Sequence, residues 1–236
     1  MTTTIDTGEA TTATDDGPPR PGSRRVLILT VAALVMLLVG AAIGMLITTA
    51  RTDAYGPPGS DSVDVGFAQD MQVHHLQAVT MAGIVRDKTT DPKVRTLAFD
   101  IESLQQTQIG MMSGWLNLWE RPLFPERGTH LAWLPTAGHG HDAATNGMAT
   151  MPGMATTAEL NRLRTLSGRE LDSYFLQLML RHHQGGLVMA RYAAQHAGQS
   201  VIRNLADKIV LGQTNDNILM TQMLAERGTQ PLPAPN

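Results

Sequence analysis

DVGFAQDMQVHHLQAVTMA, at residues 64–82, recurs without a gap as DSYFLQLMLRHHQGGLVMA at residues 172–190. Eight of the 19 aligned positions are identical, and both segments carry a His-His pair at the same register. The same offset of 108 residues continues to align identical residues as far as Met112 with Met220. Self-similarity at a fixed offset indicates one structural unit used twice. The chain therefore contains two copies of one unit.

Apolar residues in each copy follow the spacing of amphipathic helices. In the first copy a stripe at three- and four-residue steps begins at Phe67, and a second stripe follows Asp91-Pro92, a pair typical of a helix start. In the second copy Ser167 and Glu170 form a capping-box pattern, which predicts the start of the third helix. Each copy therefore predicts an antiparallel helical hairpin, with turns at residues 89–91 and 198–200.

Each predicted hairpin has an apolar face that it cannot bury alone. Two such hairpins pack into a four-helix bundle whose halves are joined by a long crossover. The predicted fold class is therefore all-α, a four-helix bundle of two repeated hairpins preceded by one transmembrane helix. The predicted boundaries are a disordered cytoplasmic tail (1–25), the transmembrane helix (26–50), a linker (51–60), the first hairpin (61–119), a Gly/Pro/His/Met-rich crossover (120–157), the second hairpin (158–228) and a tail (229–236).

Residues 26–50 contain no charged residue. As a helix this segment is long enough to cross a hydrocarbon core of about 30 Å. Three arginines lie shortly before this segment and only Arg51 directly follows it. This positive-inside bias predicts a single-pass cell-membrane protein with a cytoplasmic N-terminus and an extracytoplasmic C-terminal domain. A cleaved signal peptide is the alternative, although its apolar region is usually about 7–15 residues long. Gly40 and Gly44 form a GxxxG motif that could pair two anchors in a homodimer.

The composition excludes several classes of function. Lysine and arginine number 18 against 21 aspartates and glutamates, for a formal net charge of -3, so the chain lacks the basic footprint of a nucleic-acid-binding protein. The sequence has no cysteine, which excludes disulfides, thiolate metal sites and cysteine nucleophiles together. Any soft-metal chemistry in this chain must therefore use methionine and histidine.

The repeated stripe carries groups that bind soft metals. On a helix Met71 lies one turn from both His74 and His75, so a thioether and imidazoles project from one side, while the two adjacent histidines diverge by about 100°. Thioether sulfur suits Cu(I) and imidazole suits either Cu(I) or Cu(II), with zinc as an alternative through histidine alone. The candidate metal ligands are Met71, His74, His75, Met81, Met179, His182, His183 and Met189.

The same residues also have a structural interpretation. A His-His pair on a helix is more often a surface or hydrogen-bonded pair, and methionine more often fills a core. Two pairs at one register favour metal binding, because packing alone can be met by many apolar residues. If the pairs bind copper, we expect them to face a solvated cleft. Asp64 and Asp172 are expected to cap their own helices rather than to orient an imidazole.

The crossover contains a second set of sparse histidines and methionines among small residues. A flexible segment of this composition can wrap a soft ion and act as a loading arm. A mobile linker with incidental residues is the alternative. The candidate accessory metal ligands are His139, His141, Met148, Met151 and Met154.

The pattern Phe-x-x-x-Met-x-x-His-His, then Met-Ala, then Gln-x-x-acid-Ile-x-x-Met-x-x-Trp-Leu, with Met-Pro-Gly-Met before the second copy, resembles the domain of unknown function 305 family. The resemblance covers residues 60 to 228. It implies a ferritin-like four-helix bundle, copper binding and copper resistance as in periplasmic copper-binding proteins, and the same eight ligands. The chain departs from the family at the acidic position of the second helix of each copy, which is usually Glu but is Gln108 and Asp216 here.

These observations predict a membrane-anchored extracytoplasmic metal-binding protein that buffers, sequesters or transfers copper. The alternative is a structural or partner-binding helical bundle without metal. We expect no enzymatic activity, because no nucleophile, acid/base pair or open catalytic metal triad is identifiable. A metal-dependent oxidoreductase is the remaining alternative.

Overall fold

A computed structural model describes residues 21–125, 129–135 and 147–235 of the chain. The regular secondary structure of these residues is helical, and their one extended pairing is an isolated antiparallel bridge between His130 and Met148. The chain divides into two compact units, Met1–Ala54 and Tyr55–Asn236. The described helices are α1 (Pro21–Tyr55), α2 (Val63–Lys88), α3 (Pro92–Leu118), α4 (Thr157–Thr165), α5 (Gly168–His196) and α6 (Ser200–Glu226). The all-α prediction is confirmed.

Helix α1 is the apolar N-terminal helix, and its segment Arg24–Leu46 is long and apolar enough to cross a membrane. Those 23 residues extend about 35 Å at 1.5 Å per residue. Helix α1 begins at Pro21, so residues 21–25 are helical, whereas we predicted a disordered tail as far as residue 25. It also continues into the predicted linker before ending at Tyr55. Residues 1–20, the rest of the predicted tail, lie outside the described residues.

The two predicted hairpins are α2 with α3 and α5 with α6. Helix α3 begins as its sequence indicates: the Asp91 carboxylate accepts hydrogen bonds from the backbone N–H of Lys93 and Val94, and Pro92 occupies the first helical position. The hairpins meet through α2 and α5. One apolar cluster contains the early part of α2 and the late part of α5. The other cluster contains the late part of α2 and the early part of α5, so these two helices run antiparallel.

The start of α5 differs from the prediction. Ser167 precedes the helix but makes no capping hydrogen bond, and Glu170 lies 3.7 Å from Arg162 instead. Gly168 has a φ of +56°, a left-handed conformation that turns the chain at the point where the capping box would form. A complete capping box does occur between Thr156 and Glu159, where it starts the short helix α4 inside a region in which we predicted no separate helix.

The acidic residues at the starts of α2 and α5 join the two hairpins. Asp64 accepts hydrogen bonds from the backbone N–H of Gly198 (3.0 Å) and Gln199 (2.7 Å), in the turn of the other hairpin. Asp172 accepts one from the Thr89 hydroxyl at 2.6 Å, in the opposite turn. The expectation that each caps its own helix is wrong, and at α2 the reason is that Ser62 already holds the capping position.

Candidate metal centre

His74 of α2 and His182 of α5 meet in the middle of the bundle. Their ring centroids lie 3.8 Å apart at an interplanar angle of 31°. The two residues occupy the same position in the two copies, so the antiparallel contact of α2 with α5 brings the repeated histidines face to face. Gly186 makes this possible, because a Cβ there would lie 3.1 Å from Cε1 of His74 and 2.6 Å from Oε1 of Gln213.

The second histidine of each pair points toward the other helix of its own hairpin, as the 100° divergence between neighbours indicates. Nε2 of His75 lies 2.7 Å from Oε1 of Gln108 on α3. Nε2 of His183 lies 3.2 Å from Oδ2 of Asp216 on α6. These two partners stand at the position where the chain departs from the family pattern. That position therefore supplies the hydrogen-bond acceptor for an imidazole in both copies.

The hydrogen-bond partners set which ring nitrogen of each histidine carries the proton. The carboxylate of Asp216 and the carbonyl of Pro152, 3.3 Å from Nε2 of His74, are acceptors only, so His183 and His74 donate from Nε2. The oxygen of Gln108 does the same for His75. In a neutral imidazole that donates from Nε2, Nδ1 is the unprotonated nitrogen. Nδ1 of each of these three rings is buried without a hydrogen-bond partner.

All four imidazoles are 0 % exposed. Burial lowers the pKa of His74 and of His75 to about 3, helped by the charge of neighbouring histidines, whereas the hydrogen bonds to Pro152 and Gln108 act in the opposite direction. Burial also lowers the pKa of His182 well below its ordinary value. These three rings are neutral at pH 7, the form of imidazole that binds metals.

The expectation of a solvated cleft is wrong, because the end of the crossover covers the histidines. We call residues 147–155 the strap. A Cβ on Gly185 would lie 2.0 Å from the carbonyl oxygen of Pro152, and a Cβ on Gly153 would lie 2.5 Å from the carbonyl oxygen of Arg181. Only glycine permits so close an approach of two backbones, and Gly153 also has a φ of +79°. The Met-Pro-Gly-Met segment is therefore packed onto α5 beside His182.

Two polar residues of α2 hold the crossover in place. Gln77 exchanges two hydrogen bonds with the backbone of Ala155, at 2.9 and 2.6 Å. The buried carboxylate of Asp70 accepts three hydrogen bonds, from Nδ1 of His130 (2.6 Å), the backbone N–H of Leu131 (2.8 Å) and Nε1 of Trp133 (2.8 Å). Sequence reasoning missed both residues. The second copy has Leu178 at the position of Asp70 and Gly185 at the position of Gln77, so the repeat does not mark either residue. The difference between the copies is the signal that could have identified them.

The candidate methionines are all buried. One apolar cluster contains Met71 and Met189 and the other contains Met81 and Met179, so thioethers of both copies occur in each cluster. Of the accessory candidates, Met151 is buried, Met154 is partly buried and Met148 is 40 % exposed. His139 and His141 lie outside the described residues.

The donor set fits a soft cation better than a hard one. Among the described residues, no three His, Asp or Glu side chains lie close enough together to hold one metal ion. The unpartnered Nδ1 atoms and the buried thioethers of the same two helices are instead imidazole and sulfur donors, which suit Cu(I). Gln105 and Gln213, which are equivalent in the two copies, add further buried amide atoms without partners. A polar group left unpaired in a core costs free energy, so these atoms are the candidate donors.

A bundle of two helical hairpins with a doubled Met-x-x-His-His stripe defines a recognisable class of protein. The chain belongs to the family described as domain of unknown function (DUF305), whose model matches residues 64–224. No curated protein matches the chain.

Three solved structures illustrate the similarity. The chain is similar to a DUF305 protein from Streptomyces coelicolor, with 43 % identity, a TM-score of 0.66, and coverage of 74 % of this chain and 99 % of that one. A DUF305 fragment from Deinococcus radiodurans is 28 % identical, with a TM-score of 0.55 and coverage of 70 % and 96 %. CopM in its Cu(II)-bound form is 25 % identical, with a TM-score of 0.52 and coverage of 69 % and 96 %.

Proposed function

We propose that this chain is a membrane-anchored, extracytoplasmic copper-binding protein that buffers, sequesters or transfers copper. The ligands are drawn from the two Met-x-x-His-His stripes, namely Met71, His74, His75, Met81, Met179, His182, His183 and Met189. Copper is here the cargo of the protein, and zinc bound through the imidazoles is the alternative cation.

One observation carries the proposal: buried, neutral histidines of both copies converge while their Nδ1 atoms lack partners. Packing alone would favour apolar residues, because an unsatisfied buried polar group costs about 1–3 kcal/mol. A bound cation would satisfy these nitrogens. The 25 % identity with CopM, a protein solved with Cu(II), supports copper as that cation.

The location rests on α1. The span Arg24–Leu46 fits a membrane, and the arginines before it favour a cytoplasmic N-terminus. A bundle on the outer face would meet copper before it reaches the cytoplasm.

We propose that copper reaches the histidines past the strap. The strap is held by hydrogen bonds to Gln77 and by contact with Gly185, and it carries Met148 and Met151. Met148 is exposed and Met151 is buried, so the strap presents one thioether to solvent and another to the interior. We propose that these residues, with Met154 and the His139/His141 pair, pass the ion inward. Replacing Met148, Met151 and Met154 should slow loading more than it lowers affinity.

A structural bundle without metal is the second candidate function. It is favoured by the hydrogen bonds that His74, His75 and His183 already make inside the protein, which are typical of histidines in a core. An oxidoreductase has less support, because the candidate ligands are closed off from solvent by the strap.

The test is copper retention by the full chain purified in detergent. Wild type, His182→Ala/His183→Ala and the control His196→Ala are loaded anaerobically with Cu(I) and equilibrated against a colorimetric Cu(I) chelator. Loss of one residue that merely orients a ligand typically weakens a metal site 10–100-fold, so loss of two ligands should weaken copper retention at least about 10-fold. The control removes an exposed histidine whose Nδ1 contacts its own helix at Tyr192.

Equal retention by wild type and the double variant would contradict the assigned ligands. Absence of copper from wild type under these conditions would leave the structural bundle as the better account.

A further inference from the structure

The two halves of the candidate metal centre are alike in geometry but not in charge. His75 and His183 are equivalent in the repeat, and each contacts the equivalent position of its hairpin partner helix. In the first copy that position is Gln108, a neutral amide that is 6 % exposed. In the second copy it is Asp216, a carboxylate whose side chain is 29 % exposed.

Both acceptors orient their imidazoles in the same way. Each takes a hydrogen bond from Nε2 and leaves Nδ1 as the buried, unpartnered nitrogen. Orientation alone therefore does not distinguish the two halves. The charge of the acceptor distinguishes the two halves. A carboxylate that accepts a hydrogen bond from a ligating imidazole raises the basicity of that ligand and offsets the positive charge of the ion, whereas an amide fixes only the orientation of the ring.

Partial exposure lowers the free-energy cost of a carboxylate at this position in the apo protein. A fully buried carboxylate would carry a large desolvation cost, and Asp216 avoids it by remaining in contact with solvent. The first copy, where the equivalent position is buried, carries the uncharged residue instead. The charge difference thus follows the difference in exposure.

We propose that Asp216 is a positioning residue that makes the two halves unequal, so that the half containing His183 binds the first cation and the half containing His75 binds a second one more weakly. This inference rests on the proposed function. The ligand class is a soft monovalent cation, for which Cu(I) and the redox-inert Ag(I) are probes. The expected difference between the two dissociation constants is about 10–100-fold, the usual effect of an outer partner of a metal ligand.

The experiment titrates the full chain in detergent with Ag(I), and separately with Cu(I), against a competing chelator. Nitrogen-15 NMR of labelled histidine side chains reports which pair responds first. Asp216→Asn keeps the shape and an acceptor oxygen but removes the charge, so it makes the second copy resemble the first. Asp207→Asn is the matched control, because it removes an exposed carboxylate from the same helix.

In wild type and Asp207→Asn the cation should fill the half with His183 first, and the two dissociation constants should differ by at least about 10-fold. In Asp216→Asn the two dissociation constants should lie within about threefold of each other, while Nε2 of His183 remains the hydrogen-bond donor. Gln108→Glu should also bring the two dissociation constants closer, because it tightens binding in the half with His75.

Two results would overturn the inference alone: first filling at His75, or titrations of Asp216→Asn that match those of Asp207→Asn while both histidine pairs still respond to the cation. Absence of any response from either histidine pair in wild type would overturn the proposed function together with the inference.

Discussion

Acidification should destabilise the bundle before most carboxylates are protonated. In the native protein burial holds the pKa of His74 and His75 at about 3, against 6.5 when each is exposed. The unfolded chain therefore binds protons between these values that the native protein cannot bind. Because stability rises with pH wherever the unfolded state binds more protons, the free energy of unfolding should fall as the pH drops from about 6.5 toward 3.

The magnitude follows from the two pKa values. For one histidine with a native pKa of about 3 and an unfolded pKa of 6.5, the loss between pH 7 and pH 5 is about 2 kcal/mol. His74 and His75 together lose roughly 4 kcal/mol, and His182, whose pKa is also lowered, adds to that loss. A domain is stable by only about 5–15 kcal/mol, so the change is easily measured. Arg181 lowers the pKa of Glu159, so this residue begins to lower the free energy of unfolding only as the pH falls through 4.5, below the pH 7 to 5 range used here.

The assay is denaturant unfolding of the metal-free full chain in detergent, followed by tryptophan fluorescence at pH 7, 6 and 5. The three tryptophans, Trp115, Trp119 and Trp133, all lie in the Tyr55–Asn236 unit, so their signal reports on the bundle and not on α1. His75→Gln should lower the pH dependence by about one histidine's share relative to wild type. Equal stability at pH 5 and pH 7, or equal pH dependence in wild type and His75→Gln, would refute the reasoning.

Three further outcomes are expected. Gly185→Ala should lower the melting temperature and expose the strap to protease, because its Cβ would collide with the Pro152 carbonyl, whereas Gly212→Ala, with open space around its Cβ, should raise stability by about 0.5–1 kcal/mol. Asp70→Asn should lower the free energy of unfolding by about 1–3 kcal/mol in denaturant melts, since one of three donors loses its acceptor. A C-terminal tag should be digested by protease added to intact cells, and a protected tag would contradict the proposed topology.

The repeat and the helical spacing were sufficient to predict the helices that position the site. Asp91-Pro92 marked a helix start correctly because its signal is local. The divergence of His74 from His75 also followed from helix geometry alone. The pairing of His74 with His182 required the antiparallel contact of α2 with α5, which the duplication suggested but did not determine.

The covering of the site could not be read from local patterns. It depends on Gly185 and Gly153 admitting a backbone contact between segments far apart in sequence, and on Gln77 binding the backbone of Ala155. Glycine in a helix otherwise reads as a neutral or weakening residue. The capping prediction at Ser167 also failed because of a glycine. The sequence pattern of a capping box does not indicate that the next residue, Gly168, adopts a left-handed conformation.

The central claim is that the histidine pairs bind copper, and the most direct measurement is the thermal unfolding of wild type and His182→Ala/His183→Ala, each with and without Cu(I). A ligand that binds only the native state at 100 times its dissociation constant adds about 2.7 kcal/mol, which corresponds to a rise of roughly 5–10 °C in melting temperature. The account predicts this rise for wild type and a clearly smaller rise for the double variant, measured against the apo form of each. A wild-type melting temperature that does not change with Cu(I), or an equal rise in both proteins, would contradict it.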